Sequence, residues 1–324
     1  MNHVIRIGKN GGPEVLEWAE VEVGKPGQGE ALVRHTAIGV NFMDIYYRKG
    51  VYKTTAFPII LGGEAAGIIE SVGSGVSGLT PGDRVAYSVA LGGYSERRLI
   101  GADGLVQIPD GIDDRTVAAG FLKGLTVECL LHRTFKVGKD TTVLWHAAAG
   151  GVGAIACRWA HALGATVIGT VGSEDKIALA RANHCDHVID YRREDFVARV
   201  REITGGTGVD VVYDSVGRDT FPGSLDCLRP MGMWVSFGQS SGLPPEFPIS
   251  LLQQKGSLFA TRPTITHYLA RREALESSAA ALFEALRKGT IHVAIGRELP
   301  LREAAEAHRA IEARRTTGST ILIP

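Results

Sequence analysis

The chain has 324 residues, long for a single core and suited to two domains. Its 35 Lys plus Arg balance 35 Asp plus Glu, so the formal net charge is zero and nothing electrostatic draws it to nucleic acid or an anionic surface. No apolar stretch is long enough to span a bilayer, and Met1-Asn2-His3-Val4-Ile5-Arg6 lacks the apolar core of a signal peptide. Cys129, Cys157, Cys185 and Cys227 are then expected to be reduced core thiols of a cytoplasmic protein.

Up to about Leu122 the sequence is rich in Val, Gly and alternating polar positions, as in Glu30-Ala31-Leu32-Val33-Arg34 and Gly67-Ile68-Ile69-Glu70-Ser71-Val72-Gly73. With turn clusters such as Pro81-Gly82-Asp83, this predicts short strands of a β-rich domain. Tyr46 and Tyr52 fall on a helix and the loop after it, as half-buried aromatics.

The most informative stretch is Val143-Leu144-Trp145-His146-Ala147-Ala148-Ala149-Gly150-Gly151-Val152-Gly153, an apolar run that breaks into a glycine-rich turn and starts a helix. A pyrophosphate needs backbone N–H groups close to its oxygens and a helix N-terminus aimed at its charge. Gly150 and Gly151 lie where bulk would block that approach, and Gly153 lets the helix pack on the strand. Ala148 stands at the first glycine of the G-x-G-x-x-G pattern. Beyond it, helices are predicted over residues 154–163, 177–182 and 196–203, and strands over 166–170, 188–189 and 209–213. That alternation indicates parallel βαβ units. A last strand of this domain is expected near 257–261, then a helix over 271–287 and a closing strand over 319–323. The whole is α/β: a doubly wound parallel-sheet domain inserted between two parts of a β-rich domain.

NAD-specific sites carry an acidic residue roughly 20 residues past the loop to hold the ribose 2′-OH. Here Gly172-Ser173 stand at that point, with Lys176 one turn on and Tyr191 after the next strand. A missing carboxylate and a nearby ammonium favour a 2′-phosphate, so NADPH is expected over NADH. Ser173 is also placed to cap the following helix. The cysteines show no C-x-x-C pair, which argues against structural zinc.

From end to end the chain resembles the zinc-independent quinone oxidoreductases of the medium-chain dehydrogenase/reductase superfamily, to which zeta-crystallin also belongs. The motifs are Gly11-Gly12-Pro13-Glu14-Val15-Leu16, Gly39-Val40-Asn41-Phe42-Met43-Asp44, Gly62-Gly63-Glu64-Ala65-Ala66-Gly67, Pro81-Gly82-Asp83-Arg84-Val85 and Phe121-Leu122-Lys123-Gly124-Leu125-Thr126. To these add His146 through Gly153, Val212-Tyr213-Asp214-Ser215-Val216-Gly217 and Phe237-Gly238-Gln239-Ser240-Ser241-Gly242. The resemblance implies a Rossmann domain over 125–262 inserted into a GroES-like catalytic domain formed by 1–124 and 263–324. It also implies a homodimer. Where zinc alcohol dehydrogenases bind their catalytic metal through a Cys and a His, this chain holds Asn41 and Gly63, so no zinc is expected. The implied NADPH contacts are Asn41, Thr126, Gly150, Gly151, Val152, Ser173, Lys176, Tyr191, Phe237, Ser240 and Arg314. Two departures are Arg158, where many members carry Gln, and Gly63, where close relatives often have Thr.

The expected reaction is reduction of a small soluble quinone by NADPH. The developing hydroquinone oxyanion needs hydrogen-bond donors or water, because a phenolate is a better stabilised anion than an alkoxide. Asn41 can donate an amide N–H, and Tyr46 and Tyr52 can stack on a flat ring or donate from the phenol. Positioning roles are expected, with no indispensable acid or base. The alternatives are reduction of an activated alkene such as an enal or enone, and a low-turnover NADPH- or RNA-binding role, against which the neutral charge speaks.

Overall fold

The computed structural model describes residues 1–54, 56–88, 91–313 and 316–324. The chain divides into two compact units, Met1–Lys123 with Arg271–Arg287 and Val293–Pro324, and Gly124–Ala270 with Lys288–His292.

In the first unit the strands are β1 (Asn2–Ile7), β2 (Glu17–Val21), β3 (Glu30–Val40), β4 (Ile59–Ile60), β5 (Glu64–Val72), β6 (Arg84–Ser88), β7 (Arg97–Gly101) and β8 (Val106–Gln107). Helix α1 (Phe42–Lys49) lies between β3 and β4, and α2 (Asp114–Glu128) follows β8. The first half of β3 alternates as a strand with one buried face must, with Ala31, Val33, His35 and Ala37 inward. Its antiparallel pairing with β5 and β7 builds the main sheet. A smaller sheet has the order β2-β1-β4. The core joins Ile5, Val33, Ile38, Ile45, Tyr87 and Tyr94.

In the second unit β9 (Thr142–Trp145), α3 (Gly151–Ala162), β10 (Thr166–Val171), α4 (Ile177–Ala182), β11 (His187–Asp190), α5 (Phe196–Ile203) and β12 (Val209–Asp214) alternate. They are followed by α6 (Gly223–Asp226), β13 (Leu228–Ser236), α7 (Ser250–Gln254), β14 (Phe259–Thr261) and α8 (Ile265–Tyr268). The sheet order is β11-β10-β9-β12-β13-β14, and every pair in it is parallel. The order reverses between β9 and β12, the switch point where α/β sheets bind ligands at the carboxyl ends of their strands. Val143, Leu144 and Trp145 of β9 are buried in succession, as a strand covered on both faces requires. All four cysteines are buried and unbridged.

The chain returns to the first unit with α9 (Arg272–Arg287), β15 (Ile295–Pro300), α10 (Ala304–Glu312) and β16 (Ser319–Ile323), the last pairing with β3. Helix α3 begins three residues before the expected position, because the glycines themselves form its first turn. The strand expected near 257–261 is confined to 259–261. Among the described residues no helix is long and apolar enough to cross a membrane.

Candidate active site

The candidate residues of the second unit follow the carboxyl ends of its strands. After β9 the loop turns through Ala147, which adopts φ 57°, and Ala148 N–H donates to Thr170 O at 3.0 Å. Gly150 is the N-cap of α3, so Gly151, Val152 and Gly153 form its first turn, where backbone N–H groups have no acceptor within the helix. A Cβ at Gly153 would stand 2.4 Å from Ala147 O and 2.8 Å from Ala148 Cα, so packing excludes a side chain there. At Gly150 the nearest atom would be 3.2 Å away. The tightest packing is therefore at Gly153, while the exposed face of Gly150 fits the approach of a pyrophosphate.

After β10, Ser173 holds the N-cap position of the turn Glu174–Lys176 but makes no side-chain capping bond. This corrects the expectation of a capping serine; the turn closes through Lys176 N–H to Ser173 O at 3.1 Å instead. A Cβ on Gly172 would lie 2.7 Å from Tyr191 Oη, so the phenol rests against the Gly172-Ser173 corner. Ser173, Lys176 and Tyr191 thus gather at the ends of β10 and β11 with no carboxylate at 172 or 173. Glu174, the next acid, pairs with Arg193 at 2.8 Å. Arg158 donates to Asn183 Oδ1 at 3.0 Å and Ala182 O at 2.8 Å, tying α3 to the end of α4.

Phe237 packs its ring 5.4 Å from Trp145, and its N–H donates to Asp214 O at 2.9 Å. Ser240 is exposed with its N–H on Ser215 O at 3.1 Å, and Thr126 is half-buried on α2. Arg314 lies outside the described residues. Beneath these loops Asp214 accepts from Val216 N–H (2.9 Å) and Gly217 N–H (3.0 Å) on Oδ1. Its Oδ2 accepts from Thr220 (2.8 Å), Ser224 (2.8 Å) and the Trp234 indole (3.3 Å). Burial pushes this carboxyl up, but neighbouring His146 and the donated bonds outweigh it and hold it below its ordinary value. His146 itself bridges Thr170 at 2.9 Å and Ser224 at 3.1 Å.

In the first unit α1 carries the other candidates. Asn41 precedes its first turn, 8% exposed, and its Nδ2 donates to Glu64 Oε1 at 2.7 Å. Glu64, fully buried, also accepts from Lys123 Nζ at 3.2 Å and Leu122 N–H at 2.6 Å. One amide N–H of Asn41 is therefore committed, leaving its second N–H for a ligand. Tyr46 and Tyr52 meet edge to face at 5.2 Å, with Phe42 6.0 Å from Tyr46 and Tyr47 5.3 Å from Tyr52. Tyr52 is 37% exposed, more open than expected.

Behind Asn41 lies a buried chain for which the sequence reading gave no role. Asp44 Oδ2 accepts from Asn41 N–H at 2.8 Å and from the Tyr94 hydroxyl at 3.0 Å. Tyr94 Oη meets His308 Nε2 at 3.0 Å, and His308 Nδ1 meets Arg48 at 3.0 Å. Arg48, with no exposed surface, ends on Glu312 at 2.7 Å. Burial, opposed by the Asn41 and Tyr94 bonds and helped by the charge of Glu64, pushes Asp44 up to about 7. Burial and the Arg48 charge press His308 down to about 3. The sequence signal was the Asp44/Arg48 spacing, which sets two charges on one turn of a helix. His308, buried on α10, carries no such local signal.

Residues 27–110 match the family described as Alcohol dehydrogenase GroES-like domain, and residues 151–284 the family Zinc-binding dehydrogenase. Among the described residues no group of three or more His, Cys, Asp or Glu side chains is placed to hold a metal ion. Asn41 and Gly63 offer neither thiolate nor imidazole. The chain is 48% identical to a quinone oxidoreductase of Pseudomonas aeruginosa, covering 99% of both proteins. It is 47% identical to a 2-haloacrylate reductase of a Burkholderia species, covering 98% of both. The crystal structure of Escherichia coli quinone oxidoreductase complexed with NADPH superposes with a TM-score of 0.98 at 48% identity over the whole of each chain.

Proposed function

The chain belongs to the zinc-independent quinone oxidoreductases of the medium-chain dehydrogenase/reductase superfamily, and from that premise we propose that it reduces small soluble quinones with NADPH. The observation that carries this reading is the pairing of an acid-free 2′ corner, built by Ser173, Lys176 and Tyr191, with an amide and a glycine at the metal-ligand positions. When bound, NADPH supplies the hydride. The first turn of α3 holds the pyrophosphate through the N–H groups of Gly151 and Val152, and Lys176 and Tyr191 hold the 2′-phosphate. Thr126, Phe237, Ser240 and Arg314 are further cofactor contacts in this reading. Asn41 orients the acceptor with the amide N–H that Glu64 leaves free, and Tyr46 and Tyr52 stack against the quinone ring. A homodimer in the cytoplasm completes the proposal; the molar mass in solution, read by sedimentation, checks the dimer.

A second reading, reduction of an activated alkene, draws support from the 2-haloacrylate reductase at similar identity. Initial rates with 1,4-benzoquinone and 2-chloroacrylate separate the two. Lys176→Ala is expected to raise KM for NADPH by roughly 10- to 100-fold, the equivalent of one charge-assisted contact, and to leave KM for NADH nearly unchanged. Equal KM values for both cofactors in the parent protein would overturn the role of the 2′ corner. Absence of quinone turnover would overturn the function.

A further inference from the structure

Among the described residues, Asp44 is the one buried carboxyl of the first unit whose bonds are all on one oxygen. Oδ2 has two donors, while Oδ1 is buried with no partner. The direction of the chain behind it follows from donor chemistry. Arg48 can only donate, so His308 Nδ1 accepts and the neutral ring carries its hydrogen on Nε2. That Nε2–H points at Tyr94 Oη, so the Tyr94 hydrogen is directed onto Asp44 Oδ2. Asn41 N–H occupies the same oxygen. A proton carried by this carboxyl must therefore reside on Oδ1.

Oδ1 faces Gly63. A Cβ built there, its chain neighbours aside, would stand 3.7 Å from Oδ1 and 2.3 Å from Met43 Cε, the methyl end of a flexible thioether. We propose that Asp44 is a neutral carboxylic acid that donates its Oδ1 proton, past Gly63, to the substrate as it is reduced, and that Tyr94, His308 and Arg48 fix the direction of that donation. The inference rests on the reductase reading above. Hydride addition to a quinone leaves a hydroquinone monoanion. The O–H bond of Asp44 breaks, an O–H bond forms on the product oxygen, and the Asp44 carboxylate regains a proton from water after release. With an activated alkene the same proton forms a C–H bond at the carbon that bears the negative charge.

The groups facing Asp44 agree with a neutral acid. Asn41 and Tyr47 come from its own helix, Glu64 from β5, Lys123 from α2, Tyr94 from the loop before β7 and His308 from α10. The Lys123 charge is taken up at 3.2 Å by Glu64, and Arg48 is neutralised by Glu312. Burial then prevails and the carboxyl sits at about 7.

The test uses the full chain with NADPH and 1,4-benzoquinone from pH 6 to 9. The parent kcat is expected to be level below about pH 7 and to fall tenfold per unit above it. Asp44→Asn should lower kcat by roughly 10²-fold, the low end for a lost general acid because a phenolate is a stable anion, and should flatten the profile. Tyr94→Phe removes a donor to the carboxylate, so the falling limb should move to higher pH. Gly63→Val should suppress turnover, whereas Gly63→Thr, of the same shape with a hydroxyl beside Oδ1, should restore it. Carboxyl carbon NMR of the cofactor-free protein gives a reading independent of turnover: the aspartate signal missing in Asp44→Asn should titrate near 7. An unchanged pH profile in Asp44→Asn, or titration of that signal below 5, overturns the proposal. A parent protein that reduces neither quinone nor alkene while Asp44 titrates near 7 overturns the reductase reading instead.

Discussion

Asp44 and Asp214 are both fully buried carboxylates, each one hydroxyl away from a buried histidine, and they are held in opposite protonation tendencies. Asp214 has donors on both oxygens, five in all by the distances given above, and is held below its ordinary value. Asp44 has two donors, both on one oxygen, and is pushed up to about 7. Burial disfavours the charge at both sites; at Asp214 the neighbouring His146 and then the donors outweigh it, whereas at Asp44 two donors do not and the charge of Glu64 adds to the burial. A carboxylate satisfied on every lone pair is a structural anchor, here for the turn that carries Val216 and Gly217. One left half-satisfied keeps a proton available for chemistry.

The largest effect that would break this contrast is on stability. Asp214→Ala strands two backbone N–H groups, two hydroxyls and an indole in the interior, and is expected to cost on the order of 3–5 kcal/mol, read as a fall in the urea midpoint. Because the folded pKa of Asp214 is depressed, its contribution is present above the ordinary carboxylate range and is lost as pH falls through that depressed value. The gap between parent and variant should therefore narrow only in acid. A gap that stays constant down to pH 2 would mean that packing, not the charge, is what Asp214 supplies.

Asp44 should behave with the opposite sign. Its folded value of about 7 stands above the unfolded value of 3.8, so the native state is favoured below 3.8 and loses that advantage as pH rises through 7. Asn is an isostere of the neutral acid. Asp44→Asn should match the parent near pH 4 and exceed it by on the order of 4 kcal/mol at pH 8, about three pKa units at 1.36 kcal/mol each. Parallel stability curves for the two proteins would show that Asp44 ionises normally, and the comparison would collapse.

How much of this was legible in the sequence follows from sequence separation. The nucleotide loop is local: an apolar strand, a glycine turn and a helix lie within residues 142–162, and the sequence placed them with only the start of α3 shifted. The acid-free corner after β10 was readable for the same reason, since Ser173 and Lys176 are near neighbours and Tyr191 follows the next strand. The Asp44 chain was not readable. Tyr94 and His308 are 214 positions apart, and Arg48 and His308 are 260 apart, so no window contains them. Asn41 was identified as a donor, but its partner Glu64, 23 positions on, decides which amide hydrogen remains free. Asp214 stood inside a quoted motif, yet its five donors become visible only when β12, α6 and β13 are packed.

The smallest effect sharpens how the donors at Asp214 share their work. The Trp234 indole is the most distant, at 3.3 Å against 2.8–3.0 Å for the others. Trp234→Phe removes that one donor and retains a ring against Phe221 at 5.6 Å and Phe247 at 6.1 Å. Four bonds remain on the carboxylate, so the loss should be about 0.5–1.5 kcal/mol, the net worth of a single hydrogen bond, with the urea slope unchanged. A loss approaching that of Asp214→Ala would mean that the donors polarise one another and act as a unit. In that case two donors at Asp44 would be worth far less than two-fifths of five at Asp214, and the donors would widen the contrast that His146 already sets between the two carboxyls.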